Sequence, residues 1–357
     1  MAKDNSYLNA STSSPELNHF NTTVEIGLQA SILCLIIATS LAGNAMIMVA
    51  FYRFKSLQTI TNVFILNLSV TDFLLALVAM PFTMVSSVSR SWIFGSIMCN
   101  IQAVFNSLFC TASITTLTFV SIERYIAICC PLTYNIMVTP FAVKCMLCYI
   151  WLHSIVCALS TFLFSRYSYL DFEFICTVDW SYSVPYTICF ALIFLGIPFT
   201  IITVCYWFIL KSAVKQKKRI NCVHVREVVS VEKHAATATP KNSFRNQRLS
   251  WLKNKANSFA NHKQNQQKLQ TKRERKATVI IAIVVGTFMF CWFPHAIGVF
   301  CLLDPACNWG NGFYVITTWL AMLNSALNSA IYGLMNQGFR RAFKCIVRCN
   351  RFNLNVN

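Results

Sequence analysis

The chain has 357 residues, of which 56% are hydrophobic and only 12% charged, with a mean hydropathy of +0.53. A water-soluble domain carries roughly 25% charged residues, so this composition cannot clothe a water-facing surface and suits one bathed in lipid. The formal charge of +18 raises nucleic acid as a partner, but the positive residues lie almost wholly in one set of loops, which argues against it.

Crossing ~30 Å of hydrocarbon takes about 20 apolar residues. In chain order, seven stretches qualify: 26–51, 60–85, 96–129, 140–164, 184–211, 274–302 and 309–333. Residues 1–25 are polar, so no cleaved signal peptide is expected, and the first apolar helix serves as the insertion signal. Of the 30 Lys and Arg residues, 27 fall in or beside alternate loops and the tail. Only Lys3, Arg90 and Arg166 lie on the other side, where most of the acids cluster. The positive-inside rule then places the N-terminus outside and the tail in the cytoplasm, as seven spans require. Asn9 and Asn21 head glycosylation sequons on the outer side, while the Asn67 sequon lies within the second span and is expected to stay unmodified.

Segment 212–273 is basic and rich in Asn, Gln and Ser, and reads as a flexible cytoplasmic loop. Within it, Arg245 to Ser250 fits either a basophilic kinase site or a plain solvated loop. After the seventh span, Phe339, Phe343, Ile346 and Val347 share a helical face opposite basic residues, as in a short helix lying on a membrane. Cys345 and Cys349 there suit palmitoylation or remain plain thiols.

Several polar groups stand where lipid should be. Asp72 is mid-way along the second span, and an ionisable group there costs about 2.5–3.5 kcal/mol on insertion scales. It must face the bundle interior, either as a hydrogen-bonded carboxylate or as part of a cation site with Ser113, Asn324 and Asn328. At the inner end of the third span, Arg124 needs an acceptor. Glu123 is its neighbour, and Glu274 offers a second across the bundle, an arrangement suited to a switch. Cys99 and Cys176 both face the oxidising side, where a bridge would tie a loop over the bundle mouth. Cys301 and Cys307 are a second candidate pair; the other cysteines read as small apolar residues. Pro81, Pro198 and Pro294 interrupt the second, fifth and sixth spans, marking cavities or hinges.

Gly43-Asn44, Asn67-Leu68 with Asp72, Trp92 before Cys99, Glu123-Arg124-Tyr125, Trp151, Pro198 with Tyr206, Cys291-Trp292-Phe293-Pro294 and Asn328 with Tyr332 follow one another in a fixed order. With this set, residues 26–347 resemble the rhodopsin-like (class A) G-protein-coupled receptors. Pro131 to Pro140, Tyr149 to Ser154 and Thr317 to Ala321 further resemble a group of orphan receptors tied to the stimulatory G protein. The end of the seventh span, Ile331 to Leu334, is similar to melatonin receptors.

The resemblance implies an all-α bundle of seven membrane helices (26–335) with an outer tail (1–25) and a cytoplasmic tail bearing the amphipathic helix (336–357). It implies a plasma-membrane receptor, not an enzyme, with an extracellular ligand, a heterotrimeric G protein, arrestin and receptor kinases as partners. It places the ligand between Asn106, Phe109, Cys110, Phe190, Phe194, Trp292, His295, Val299, Thr318 and Met322. For the aromatics, simple helix packing is an equal reading, and His295 also fits a satisfied core histidine. Coupling and switching fall to Glu123, Arg124, Tyr125, Leu132, Tyr206, Glu274, Asn328 and Tyr332, with Ile114, Pro198 and Phe288 as the packing trio beneath the cavity. A sodium ion at Asp72 is the cofactor it allows.

The departures are informative. Ser329 stands where the family's Asn-Pro-x-x-Tyr has proline, which leaves the seventh helix straighter. Asn106 replaces the acid of the aromatic-amine receptors, and Met322 the retinal lysine of opsins. Amine-like or melatonin-like reception with inhibitory coupling is the alternative function. A transporter is the remote one, and no internal repeat supports it.

Overall fold

A computed structural model describes residues 15–212, 276, 278–304, 306–307 and 309–348, with side chains from residue 23 onward. Among these are seven long helices: α1 (Pro15–Arg53), α2 (Ile60–Ser89), α3 (Gly95–Cys129), α4 (Pro140–Phe164), α5 (Val184–Ser212), α6 (Thr278–Cys301) and α7 (Asn311–Met335). A shorter α8 (Gln337–Val347) follows. α1 begins well before residue 26: Pro15, tolerated in a first turn, is followed by no further proline or by glycine alone at Gly27 until the bilayer-length run is under way. The loop 212–273 beyond its first residue, Glu274, Asn9 and Cys349 lie outside the described residues, as does the side chain of Asn21.

Six helices are long and apolar enough to cross a membrane. α7 matches them in length but carries Thr317, Thr318, Asn324, Ser325, Asn328 and Ser329, all buried. Its polarity is spent inside the bundle, the only place lipid allows it. At Ser329 the helix runs through without a break, and Ser329 Oγ donates back to the Ala326 carbonyl at 2.9 Å. The small residue also brings α1 close: a Cβ on Gly43 would stand 2.1 Å from Ser329 Oγ.

The prolines act differently from one another. α2 is interrupted at Ala79, two residues before Pro81, and the Ala79 carbonyl accepts a bond from Gln102 Nε2 on α3 at 2.9 Å. In α5 a π-helical stretch, Ala191–Gly196, precedes Pro198. α6 remains α-helical through Pro294. Asn67 ties three helices, donating to Thr116 at 2.8 Å and accepting from Trp151 at 3.0 Å, so its sequon is indeed buried.

Two strands, β1 (Tyr167–Leu170) and β2 (Ile175–Val178), form an antiparallel hairpin between α4 and α5, with Tyr169 opposite Cys176. The Cys99–Cys176 disulfide pins β2 to the start of α3 (Cα–Cα 5.3 Å), and Gln102 Oε1 accepts from the Cys176 amide at 3.1 Å. Cys301 and Cys307 are also bonded. In α8, Phe339 is fully buried and Phe343 and Ile346 pack on the same core. Val347, expected on that face, is 72% exposed at the last residue of the helix.

Candidate ligand cavity and signalling site

One end of the bundle holds a cavity with an empty volume of about 990 Å³, its open mouth included. Its walls are mostly apolar, with few polar groups, as small-molecule sites usually are. Asn106 and Cys110, one turn apart on α3, line it with Phe190 and Phe194 of α5. Trp292, His295 and Val299 enter from α6, and Thr318 and Met322 from α7. Phe109 does not. It sits one residue, about 100°, round the helix from Cys110, and packs against the cluster containing Leu75, Met80 and Trp319, its ring stacked on Phe105 at 5.7 Å.

The hairpin forms the roof, which the sequence reading missed residue by residue. Ile175 and Thr177, alternate residues of β2, face the cavity together with Glu173 and Trp180. The available signal was Cys176: once bridged to Cys99 it must carry its neighbours over the mouth. Glu173 is 1% exposed. Its Oε2 accepts from Thr318 Oγ1 at 3.0 Å, while Oε1 has no partner among the described residues. Burial pushes this carboxyl up to about 7, the Thr318 bond pulling the other way. Trp180 Nε1, Trp292 Nε1 and His295 Nδ1 are likewise buried without a partner.

Below the cavity, Trp292 stacks on Phe288 at 5.8 Å, and Phe288 meets Phe199 edge-on at the same separation. Ile114, Pro198 and Phe288 are all buried at this level, and Ile114 also reaches the cavity floor.

Deeper still, Asp72 accepts from Ser113 at 3.3 Å, Ser325 at 3.2 Å and Asn328 at 2.9 Å. Ser325 supplies the contact expected of Asn324, because it stands three residues before Asn328 on the same face of α7. The Asn328 Oδ1 beside the carboxylate, and the Asn324 Oδ1 one turn earlier, are buried without partners among the described residues. Such hard oxygens suit a small cation. No group of three or more His, Cys, Asp or Glu occurs among the described residues; the CxxC-spaced Cys145 and Cys148 face outward from α4.

At the far end, Arg124 Nε donates to Glu123 Oε2 at 2.6 Å, and Arg124 also contacts Thr61. Glu123 Oε1 accepts from Tyr134 at 2.7 Å and from Thr61 at 3.1 Å. Sequence reasoning found the pair and missed Thr61 and Tyr134, which lie 62 and 11 residues from Glu123. Tyr125 turns away, 5.8 Å from the Phe208 ring on α5. The Tyr206 and Tyr332 hydroxyls are buried nearby without partners among the described residues. Leu132 is 93% exposed beside them.

The family model described as 7 transmembrane receptor (rhodopsin family) matches residues 43–332. G-protein coupled receptor 161 of Mus musculus is 32% identical over 91% of this chain and 59% of its own length. The histamine H2 receptor of Rattus norvegicus is 32% identical over 89% and 78%, and the octopamine receptor beta-2R of Chilo suppressalis 29% over 96% and 85%. The chain thus spans little more than half the length of the first of these relatives. Squid rhodopsin shares the fold, with a TM-score of 0.70 at 22% identity, covering 97% of this chain and 94% of its own. The chain is a multi-pass membrane protein and belongs to the rhodopsin family of seven-transmembrane receptors.

Proposed function

We propose that this receptor carries an extracellular signal to a heterotrimeric G protein, of the stimulatory type, and raises cyclic AMP even without added ligand. The observation behind the switch is the Glu123–Arg124 pair held by Thr61 and Tyr134 at the end of the bundle opposite the cavity. A ligand pressing on Trp292 repacks Phe288 against Ile114 and Pro198, α6 moves, and the inner pair opens. The cleft then exposed, lined by Arg124, Tyr206 and Tyr332 with Leu132 beside it, takes the C-terminal helix of a Gα subunit. Coupling of this kind is reciprocal and typically worth 1–3 kcal/mol.

The crowding of basic residues in alternate loops supports a plasma-membrane orientation with the N-terminus outside, glycosylated at Asn9 and Asn21. Arrestin and receptor kinases act on the same inner face, and the basic residues there favour anionic lipid. Asp72, Ser113, Ser325 and Asn328, with Asn324, would hold a sodium ion that favours the resting arrangement. The stimulatory choice rests on the likeness to the orphan group, and inhibitory coupling is the second reading. Expression with a cyclic-AMP reporter decides between them. A rise above vector supports the proposal; surface-expressed receptor that instead lowers forskolin-stimulated cyclic AMP overturns the stimulatory assignment.

A further inference from the structure

Every polar group lining a buried cavity should find a partner, because leaving one unpaired costs about 1–3 kcal/mol and an ionised one more. Glu173 breaks that rule in a specific way. It sits in the turn between β1 and β2, next to Phe174, whose φ of 56° places it in the left-handed region. The Glu173 amide closes the turn on the Leu170 carbonyl at 3.1 Å. The backbone is thereby fixed, and the side chain is carried down beneath the roof.

Among the described residues the carboxylate has no counter-ion. Arg90, over the neighbouring Phe174 ring at 5.2 Å, is paired with Glu25 at 3.0 Å. Arg166 is paired with Asp179 at 2.8 Å. Among the described residues, Thr318 is the one hydrogen-bond donor that reaches the Glu173 side chain. On the opposite wall Asn106 is neutral, and its Oδ1 is engaged only by the Cys110 thiol at 3.8 Å. Below lie flat apolar surfaces: Phe190 and Phe194, 4.6 Å apart, and the Trp292 indole.

We propose that Glu173 is the anionic anchor of the cavity, and that the cavity takes a small organic cation: a protonated amine on a flat aromatic body. The ammonium pairs with Glu173 Oε1, and the body lies against Phe190, Phe194 and Trp292. The charge that recognises the ligand then comes from the disulfide-pinned roof instead of from α3. This deepens the receptor reading and rests on it for the cavity being the signal-receiving end.

The test uses the full chain in lipid nanodiscs, with tryptamine as probe and indole-3-ethanol as its uncharged counterpart, read by calorimetry and thermal shift. Tryptamine is expected to bind and stabilise, and indole-3-ethanol to bind about tenfold more weakly or worse. Glu173→Gln should weaken tryptamine by a similar factor and erase the preference for the cation. Should that variant not fold, Glu173→Asp carries the test: it keeps the charge and must keep the preference. Equal binding of the two probes, unchanged tryptamine affinity in Glu173→Gln, loss of preference in Glu173→Asp, or no binding by tryptamine and a panel of arylalkylamines each overturns the anchor. Nucleotide exchange on a G protein is measured with the same nanodiscs. Exchange without amine binding removes the anchor and leaves the receptor reading; amine binding without exchange does the reverse.

Discussion

The two ends of the bundle treat their buried acids in opposite ways: Glu123 is fully engaged at the inner end, and Glu173 is half engaged at the outer. At the inner end, Glu123 and Arg124 satisfy one another and are shared by Thr61 and Tyr134, drawn from α2 and from the turn after α3. At the outer end, Glu173 Oε1, Trp180 Nε1, Trp292 Nε1 and His295 Nδ1 all point at nothing within the described residues. A satisfied buried cluster holds one arrangement; an unsatisfied one is stabilised by whatever supplies the missing partners. The contrast fits the proposed roles, a closed latch at the inner end and an open receptacle at the outer end.

Breaking the roof should have the largest effect. Cys99→Ala removes the bridge that holds β2 over the cavity, a change typically costing 2–5 kcal/mol. Surface expression and ligand-dependent stabilisation should both fall sharply; normal levels of both would show that the hairpin stays in place unaided. Next comes the close approach of α1 to α7. Gly43→Val drives a branched side chain into Ser329, and overpacking of this kind costs about 1–3 kcal/mol. Its melting temperature should drop, and Ser329→Gly should recover part of the loss.

The latch is probed by Tyr134→Phe, which deletes one hydrogen bond to a carboxylate worth roughly 1.5 kcal/mol or more, or about tenfold in the latched population. Basal cyclic AMP should rise at equal surface expression. Glu274→Ala sharpens this result. If Glu123, Thr61 and Tyr134 carry the latch, Glu274→Ala raises basal output less than Tyr134→Phe does. A larger rise from Glu274→Ala would shift the restraint to α6.

A separate effect belongs to Glu173 and pH. Its carboxyl titrates near 7 folded against 4.5 as the ordinary value. Between these values the folded state binds more protons than the unfolded one, so Glu173 destabilises the fold progressively as pH rises through that window. The slope from one proton is at most about 1.4 kcal/mol per pH unit. His295, Tyr314 and Arg90 surround the same region, so the comparison is with Glu173→Gln, whose melting temperature should vary less between pH 5 and 8. Parallel curves would mean that Glu173 is already neutral or already paired.

Much of this was legible in the residues. Apolar runs, loop charges and motif order gave the seven helices, and the mid-span acid gave the cluster around Asp72. What stayed hidden was tertiary. Thr61 and Tyr134 are ordinary residues until folding places them on Glu123. Phe109 and Ser325 were misjudged because one residue of helical rotation decides which neighbour is met. In the sequence Glu173 is one more acid in an outer loop, and only its burial beneath the hairpin and its place in the cavity wall show that it points inward.

The inner cluster, as proposed, is a latch on G-protein signalling. Purified receptor in nanodiscs, mixed with stimulatory heterotrimer, tests this by guanine-nucleotide exchange on Gα. Wild-type receptor should accelerate exchange over empty nanodiscs, and Tyr134→Phe should accelerate it further. No acceleration by either, with stimulatory or inhibitory heterotrimer, would contradict the account.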